Sequence, residues 1–406
     1  MSRYRKLIVI LLLVLTGCNA KVELNEVLIV SAVGIDQEGD QMMVHLQVVN
    51  AGGITGGQGG ASVGSSGSTG GGSVYTYSVA GTTLYEAVEK ASNILPRKLL
   101  FSHVSCFIVG EKYARKIGLA PLFDYMERNY EIRDNAFILI AKNSSAKDIL
   151  TLYTPINKNP GELLRRQVEL SSSTTGIAKG IKQKDIINWR YGEFRDPVIQ
   201  GVERVELSKM SGSTSNLTNI DANNKMYHIT GLALFDKEHM TGWYNENQTI
   251  GWAIINARIK QLFISIKKCD GQKGHIGLMI KNIKSSVKPV VEQEEITYEV
   301  NVSGIANLQE VTCKMDISDP NTIIEMEKQV EEHIEHDIES AVQLAKQKKI
   351  DVFGFGKSLY DKEPKMWKKQ YKKVWKKEFT KVKVTPVVTI QMESVGTRVK
   401  TIHEKK

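Results

Sequence analysis

Residues 7–15 consist only of Leu, Ile and Val, and this nine-residue run fixes where folding can begin. In a helix, nine residues rise about 14 Å, roughly half of a ~30 Å hydrocarbon core, so the run is too short to span a bilayer. Arg3, Arg5 and Lys6 precede it, and Leu15, Thr16, Gly17 and Cys18 close it. A basic start, a short apolar stretch and a lipobox together predict a bacterial lipoprotein signal peptide over 1–17, cut before Cys18. A diacylglyceryl group on the Cys18 thiol and the α-amine freed by cleavage follow from that pattern, and the small residues at 16 and 17 suit entry into a peptidase site within the bilayer. With about 0.8 kcal/mol per buried CH₂, two or three acyl chains would hold the protein on the outer face of a membrane. Fold reasoning therefore starts at residue 18.

Removing 17 of 406 residues leaves 389, more than one core usually serves, so two or three domains are expected. At 41% hydrophobic and 24% charged the composition is that of an ordinary globular protein. No later stretch approaches 18 continuous apolar residues, and no further membrane crossing is predicted. The net charge of +9 becomes +6 without Arg3, Arg5 and Lys6, which suits an anionic membrane surface better than nucleic acid. Three other cysteines occur. Cys106 sits in an apolar strand-like stretch and reads as a packed thiol. Cys269 and Cys313 could pair in an oxidising compartment, but spacing alone does not bring their Cα atoms together.

The apolar stretches 24–35 and 42–49 read as strands. Between 50 and 73 composition falls to Gly, Ser and Thr, with 11 glycines, as in a flexible loop. Thr82 and Thr83 then cap a helix ending near Pro96. A strand around Cys106, a helical stretch over 111–128, a strand over 136–141 and a short helix over 145–152 follow. This alternation predicts an N-terminal α/β domain over 18–207. Residues 186–197 break the pattern, and 208–224 are polar and rich in Ser and Asn. A middle mixed domain is expected over 225–295, with a strand at 226–235, a loop at 242–251 and strands at 262–268, 275–283 and 287–292. Residues 296–406 then form an α+β domain: a strand at 296–302, a long helix from Asp319, a second helix over 364–379 and a last strand over 382–392. Ile324, Val330, Ile334, Ile338, Ala341, Val342 and Ala345 are the apolar stripe of the long helix, and its acidic start and lysine-rich end match the helix dipole. The fold class is thus mixed α/β and α+β, about three domains, each a mixed β-sheet with packed helices.

Catalytic and metal motifs fail on inspection. Gly60, Ser62 and Gly64 match a nucleophile elbow, but no helix begins until Thr82. Gly356, Lys357 and Ser358 end like a phosphate loop, whose first glycine would be at 351, where Asp351 stands. His333 and His336, flanked by Glu332 and Glu335, could offer metal ligands, yet no third ligand is signalled and a solvated helix face explains them better. No catalytic, cofactor or metal residue is assigned. One segment is unusual: Trp367, Tyr371, Trp375 and Phe379 recur every fourth residue amid Lys365, Lys368, Lys369, Lys372, Lys373, Lys376, Lys377 and Lys381. The aromatic stripe is expected to pack on a sheet. The lysines form its solvated face, with Lys365, Lys368, Lys369, Lys372, Lys373 and Lys376 as candidates to meet anionic headgroups or an acidic partner.

Several segments together resemble one family, the Ger(x)C lipoproteins, C subunits of spore nutrient germinant receptors. After the lipobox come Glu23, Leu24 and Asn25, then Ile29, Val30, Ser31, Ala32, Val33, Gly34, Ile35 and Asp36. Gly81, Thr82, Thr83, Leu84, Tyr85, Glu86 and Ala87 follow, then the 103–110 strand, and Arg195, Asp196 and Pro197. The most specific is Asp351, Val352, Phe353, Gly354, Phe355, Gly356 and Lys357, leading into Pro364, Lys365, Met366 and Trp367. The order is the family's, the Gly tract resembles a loop insertion, and Asn19 and Ala20 replace the aromatic or charged pair usual after the lipid-bearing cysteine. The resemblance implies a non-enzymatic lipoprotein of about three domains, working beside the polytopic A and B subunits at the inner membrane of the spore. Of the family's functional positions only the lipidated Cys18 carries over. Contact with a small-molecule germinant is left open, and a solute-binding lipoprotein of a transporter is the alternative. The 351–356 segment reads as a tight turn feeding the final helix, and as a candidate hinge or contact turn.

Overall fold

The computed structural model describes residues 26–49, 74–152, 159–174, 180–192, 194–204, 226–266, 274–293, 295–313 and 315–394. The expected signal peptide and Cys18, the Gly/Ser tract with its elbow-like glycines, the polar stretch 208–224 and Cys269 lie outside them.

Nine strands make the first sheet: β1 (Val27–Glu38), β2 (Gln41–Val49), β3 (Val74–Gly81), β4 (Lys98–Leu100), β5 (Cys106–Gly110), β6 (Phe137–Ala141), β7 (Val198–Arg204), β8 (Tyr227–Asp236) and β9 (His239–Tyr244). Their order is β3-β2-β1-β5-β6-β7-β8-β9, with β4 beside β1. The centre from β1 through β5 and β6 to β7 is parallel, and the β2–β3 and β8–β9 flanks run antiparallel. Central strands β5 and β6 are buried along their whole length, as a parallel sheet covered on both faces requires. Helices α1 (Leu84–Ile94), α2 (Glu111–Lys116), α3 (Ala120–Arg128), α4 (Ala146–Leu150), α5 (Pro160–Thr174) and α6 (Gln183–Tyr191) cover those faces. Leu84, Tyr113, Phe123 and Ile186 place α1, α2, α3 and α6 in one core; Ile149, Leu164 and Val168 place α4 and α5 in a second core across the sheet.

Helix α7 (Glu246–Ile255) leads from this sheet into the second, built of β10 (Gln261–Ile266), β11 (Ile276–Glu292), β12 (Glu295–Val311) and β13 (Lys383–Ser394) in that order. Residues 225–295 thus contribute strands to both sheets. β11 and β12 form a long antiparallel pair, while β13 joins β12 in parallel. β12 alternates buried and exposed residues through its first half, the signature of a sheet with one covered face. That cover is α8 (Pro320–Lys348), capped by Asp319 and closed by Lys349 in the left-handed region at φ 57°. One continuous core, from Val30 to Ile390, runs beneath both sheets.

Several local expectations need correction. The loop expected at 242–251 is the end of β9 and most of α7, because the Asn245 and Gln248 side chains each accept the other's backbone N–H in a capping box. Gly251 is helical there because α8 passes too close for a side chain: a Cβ would sit 2.1 Å from the Asp337 carbonyl oxygen. Gly251→Ala is therefore expected to destabilise the protein by about 2–3 kcal/mol, read from the urea midpoint. The helix expected over 111–128 divides into α2 and α3 at Gly118, whose φ of 85° suits glycine. The break expected over 186–197 begins inside α6, and the strands expected at 275–283 and 287–292 are one strand, β11. On α8, Ile324 is 60% exposed and Met326 takes its place in the buried stripe.

Cys106 is fully buried and free, and burial pushes its thiol up to about 12. Cys313 is buried and disulfide-bonded.

Candidate functional site

The second helix expected over 364–379 is not continuous. After α9 (Phe355–Lys362) come α10 (Pro364–Met366), a π turn (Trp367–Tyr371) and α11 (Trp375–Glu378). Side chains spaced by four drift roughly 40° per step round a regular α-helix of 3.6 residues per turn. The wider π turn, closed by Lys372 N–H donating to Trp367 O at 2.9 Å, offsets that drift and keeps the aromatic rings on one side. Trp367, Tyr371, Trp375 and Phe379 are all buried, and the Trp375 ring meets the other three at centroid distances of 5.1–6.4 Å. Lys365, Lys368, Lys369, Lys372, Lys373 and Lys376, with Lys377 and Lys381, are all exposed. Lys376 bonds Asp236 at 2.5 Å, which pins this segment to the end of β8.

Beneath the lysines lies the 351–357 segment. Asp351 is 4% exposed and accepts five hydrogen bonds. Its Oδ1 takes the N–H groups of Phe353, Gly354 and Phe355 at 3.1, 2.9 and 3.1 Å. Its Oδ2 takes Gly356 N–H at 2.8 Å and the Trp375 indole N–H at 2.9 Å. Burial pushes this carboxyl up, while those donors and the nearby Arg195 guanidinium pull it down. Every contact is a donor and none could accept a carboxyl proton, so the site is built for the anion. Gly354 adopts φ 78°, and a Cβ on Gly356 would lie 2.7 Å from the Trp367 ring. Phe355 stacks on Tyr298 at 4.2 Å, and the Tyr298 hydroxyl donates to Phe355 O at 2.7 Å. Each distinctive residue of the segment thus has a packing role, and the segment is a buried turn.

The turn is bonded to Asp196, 155 residues earlier, with the Arg195 charge beside it. Asp196 N–H donates to Asp351 O at 2.8 Å, and Asp351 N–H donates to Asp196 Oδ2 at 2.9 Å. Burial raises the Asp196 carboxyl to about 6. The Arg195 guanidinium lies over Trp189 at 4.3 Å and Trp252 at 5.5 Å, and Arg258 lies over the same rings. Burial and the adjacent Arg258 lower Arg195 to about 9. Trp252 on α7 donates to Val352 O at 2.9 Å. This joint therefore ties α6, α7 and the approach to β7 to the C-terminal turn. Above it opens a groove of about 590 Å³ lined by seven cationic and four acidic side chains, Lys372, Lys373 and Lys376 among them.

Other segments singled out in the sequence are also structural. Asp36 accepts Ala146 and Lys147 N–H at the start of α4, and a Cβ on Gly110 would lie 2.1 Å from Asp36 Oδ1. Thr83 caps α1 through Glu86 N–H. His333 faces Asp337 at 3.7 Å. Among the described residues no three His, Cys, Asp or Glu side chains converge as a metal site, and no helix is long and apolar enough to cross a membrane.

Comparison with known proteins gives these residues a family. The model of the spore germination protein N-terminal domain matches residues 20–204, and that of the spore germination B3/GerAC-like C-terminal region matches 230–396. Spore germination protein KC of Bacillus subtilis (strain 168) is 29% identical over 365 residues, covering 89% of this chain and 88% of its own. YfkR of the same strain is 28% identical, covering 96% of each chain. The crystal structure of the GerBC protein shares the fold with a TM-score of 0.53 over 89% of this chain and 96% of its own, at 16% identity. Two models match in order over most of residues 20–396, with relatives matched over most of their length and a solved fold in agreement: the chain belongs to the Ger(x)C family of spore germination proteins.

Proposed function

We propose that this protein is the lipid-anchored, non-enzymatic C subunit of a spore nutrient germinant receptor, held by Cys18 on the outer face of the spore's inner membrane. Family membership over both halves of the chain carries this reading. The lipobox supplies the anchor, and the exposed lysines Lys365, Lys368, Lys369, Lys372, Lys373 and Lys376 supply a surface for anionic headgroups or for the polytopic A and B subunits. Lysines near an anionic leaflet contribute about 1 kcal/mol each, so six on one face add to the acyl anchor in holding one orientation. The buried rings and the Asp351 joint hold that face rigid. The two sheets differ in size and strand order, unlike the paired lobes that a transporter's solute-binding protein closes around its ligand.

The test is nutrient-triggered germination, followed as loss of optical density, in a deletion strain. Wild type is expected to restore it, and Cys18→Ala to restore it poorly because one anchor is lost. Replacing Lys365, Lys368, Lys369 and Lys373 by glutamate, with Lys376 kept on Asp236, is expected to weaken rescue while leaving the isolated protein folded. Normal germination of the deletion strain across a broad nutrient panel, with no redundant homologue present, would overturn the reading.

A further inference from the structure

A second cleft, lined by none of the joint residues, lies between α1, α3 and the ends of β2 and β3 and encloses about 950 Å³. That volume lies in the range of small-molecule pockets. Four tyrosines, Tyr85, Tyr113, Tyr125 and Tyr130, are among its lining residues. Tyr85, at the start of α1, is 64% exposed, and Tyr130, just after α3, is 92% exposed. Tyr125 lies deeper on α3, its hydroxyl accepting from Asn129 Nδ2 at 3.2 Å. Glu131, Glu89 and Tyr85 line the same cleft as Tyr125.

The charges there are unbalanced. Asp124 is paired with Arg128 at 2.9 Å and Asp40 with Lys116 at 3.1 Å. Glu131 accepts Phe101 N–H through Oε2 at 3.3 Å, and neither it nor Glu89 has an ion-pair partner among the described residues. Lys98 is the single lining cation against these two carboxylates that lacks an ion pair among the described residues. A second observation is independent of charge. Tyr113 on α2 is 1% exposed and lines the cleft, and its hydroxyl has no hydrogen-bond partner among the described residues. The ring is packed in the core while the residue lines the cleft, so the hydroxyl is placed to bond a molecule seated there.

We propose that this cleft binds a small organic cation, an ammonium compound seated on the Tyr85 and Tyr125 rings, neutralised by Glu89 and Glu131, and bonded by the Tyr113 hydroxyl through its polar end. Aromatic faces attract quaternary and protonated amines through their negative quadrupole, and a nearby carboxylate adds to the attraction. The inference stands apart from the receptor reading: a protein with no role at a receptor would still bind the cation here.

Choline and its uncharged isostere 3,3-dimethylbutan-1-ol are the probes, with saturation-transfer NMR and calorimetry on the purified chain. Choline is expected to bind at least about tenfold more tightly than the isostere, since only the cation gains from rings and carboxylates. Glu89→Gln and Tyr85→Ala, both at exposed positions, are each expected to weaken choline by about three- to tenfold. Tyr113→Phe is expected to weaken it about threefold with an unchanged melting temperature, because only a hydrogen bond to the bound molecule is removed. Absence of choline binding at millimolar concentration, equal binding of the isostere, or unchanged affinity in both Glu89→Gln and Tyr85→Ala would each overturn the proposal.

Discussion

Asp351→Ala is expected to cost about 4–6 kcal/mol of stability, the largest loss of any single substitution at the joint. The side chain accepts four backbone N–H groups and the Trp375 indole, all buried in one turn. Removing the acceptor strands five donors where water has no ready access, at about 1–3 kcal/mol each before relaxation. Asp351→Asn separates the contributions. Its amide oxygen can keep the three bonds of Oδ1, but its NH₂ then faces two donors, Gly356 N–H and the Trp375 indole. About half of the alanine loss is expected to return. The readout is urea unfolding followed by tryptophan fluorescence, because Trp252, Trp367 and Trp375 all pack at this joint. A loss below about 1 kcal/mol for alanine would mean that the turn is held by its rings and not by the carboxylate. The same variants carry a functional expectation. The turn positions the π segment and its lysines, so Asp351→Asn should reduce rescue of germination even where the protein accumulates to wild-type level.

The sequence exposes the parts of this joint and not their assembly. Asp351, Gly354 and Gly356 mark a turn by composition, and Arg195, Asp196 and Pro197 stand out in the family resemblance. Nothing local indicates that Asp196 and Asp351 exchange hydrogen bonds, one backbone to backbone and one to the Asp196 carboxylate, across 155 residues, because that contact depends on how α7 connects the two sheets. Helix α7 was itself illegible. Gly242 and Gly251 look like loop punctuation, and the reason Gly251 is helical lies in α8, whose backbone leaves no room for a Cβ. The aromatic stripe was legible because four-residue spacing survives a local change of helix type, whereas the π turn that preserves it leaves no compositional mark. The tyrosine cleft is the extreme case. Tyr85, Tyr113, Tyr125 and Glu131 belong to separate elements, and only the crossovers of the large sheet bring them to one place.

Asp337→Asn is expected to change how stability depends on pH. Asp337 lies on the α8 face that packs against α7, has no exposed surface, and neither carboxyl oxygen makes a well-formed hydrogen bond among the described residues. Burial pushes its carboxyl from 3.8 up to about 7, and the Asn247 side chain opposes this only in part. His333, 3.7 Å away, offers little compensation, since burial and His336 hold its own proton affinity down. The folded state therefore binds a proton that the unfolded state releases between pH 3.8 and 7. The stabilising contribution of the protonated group is complete below the unfolded value and is lost as pH rises through the folded one. The full difference is on the order of 4 kcal/mol as an upper bound. An asparagine has no proton to lose. Below about pH 3.8 the two proteins should unfold at similar urea concentrations, the gap should already be opening at pH 5, and at pH 8.5 the variant should be more stable by about 2–4 kcal/mol. Asp196, raised to about 6, acts in the same direction and remains in both proteins, so the slope of the variant should flatten without vanishing. Parallel pH profiles for wild type and Asp337→Asn would mean that Asp337 is ionised in the folded protein throughout, held by a partner such as a protonated His333.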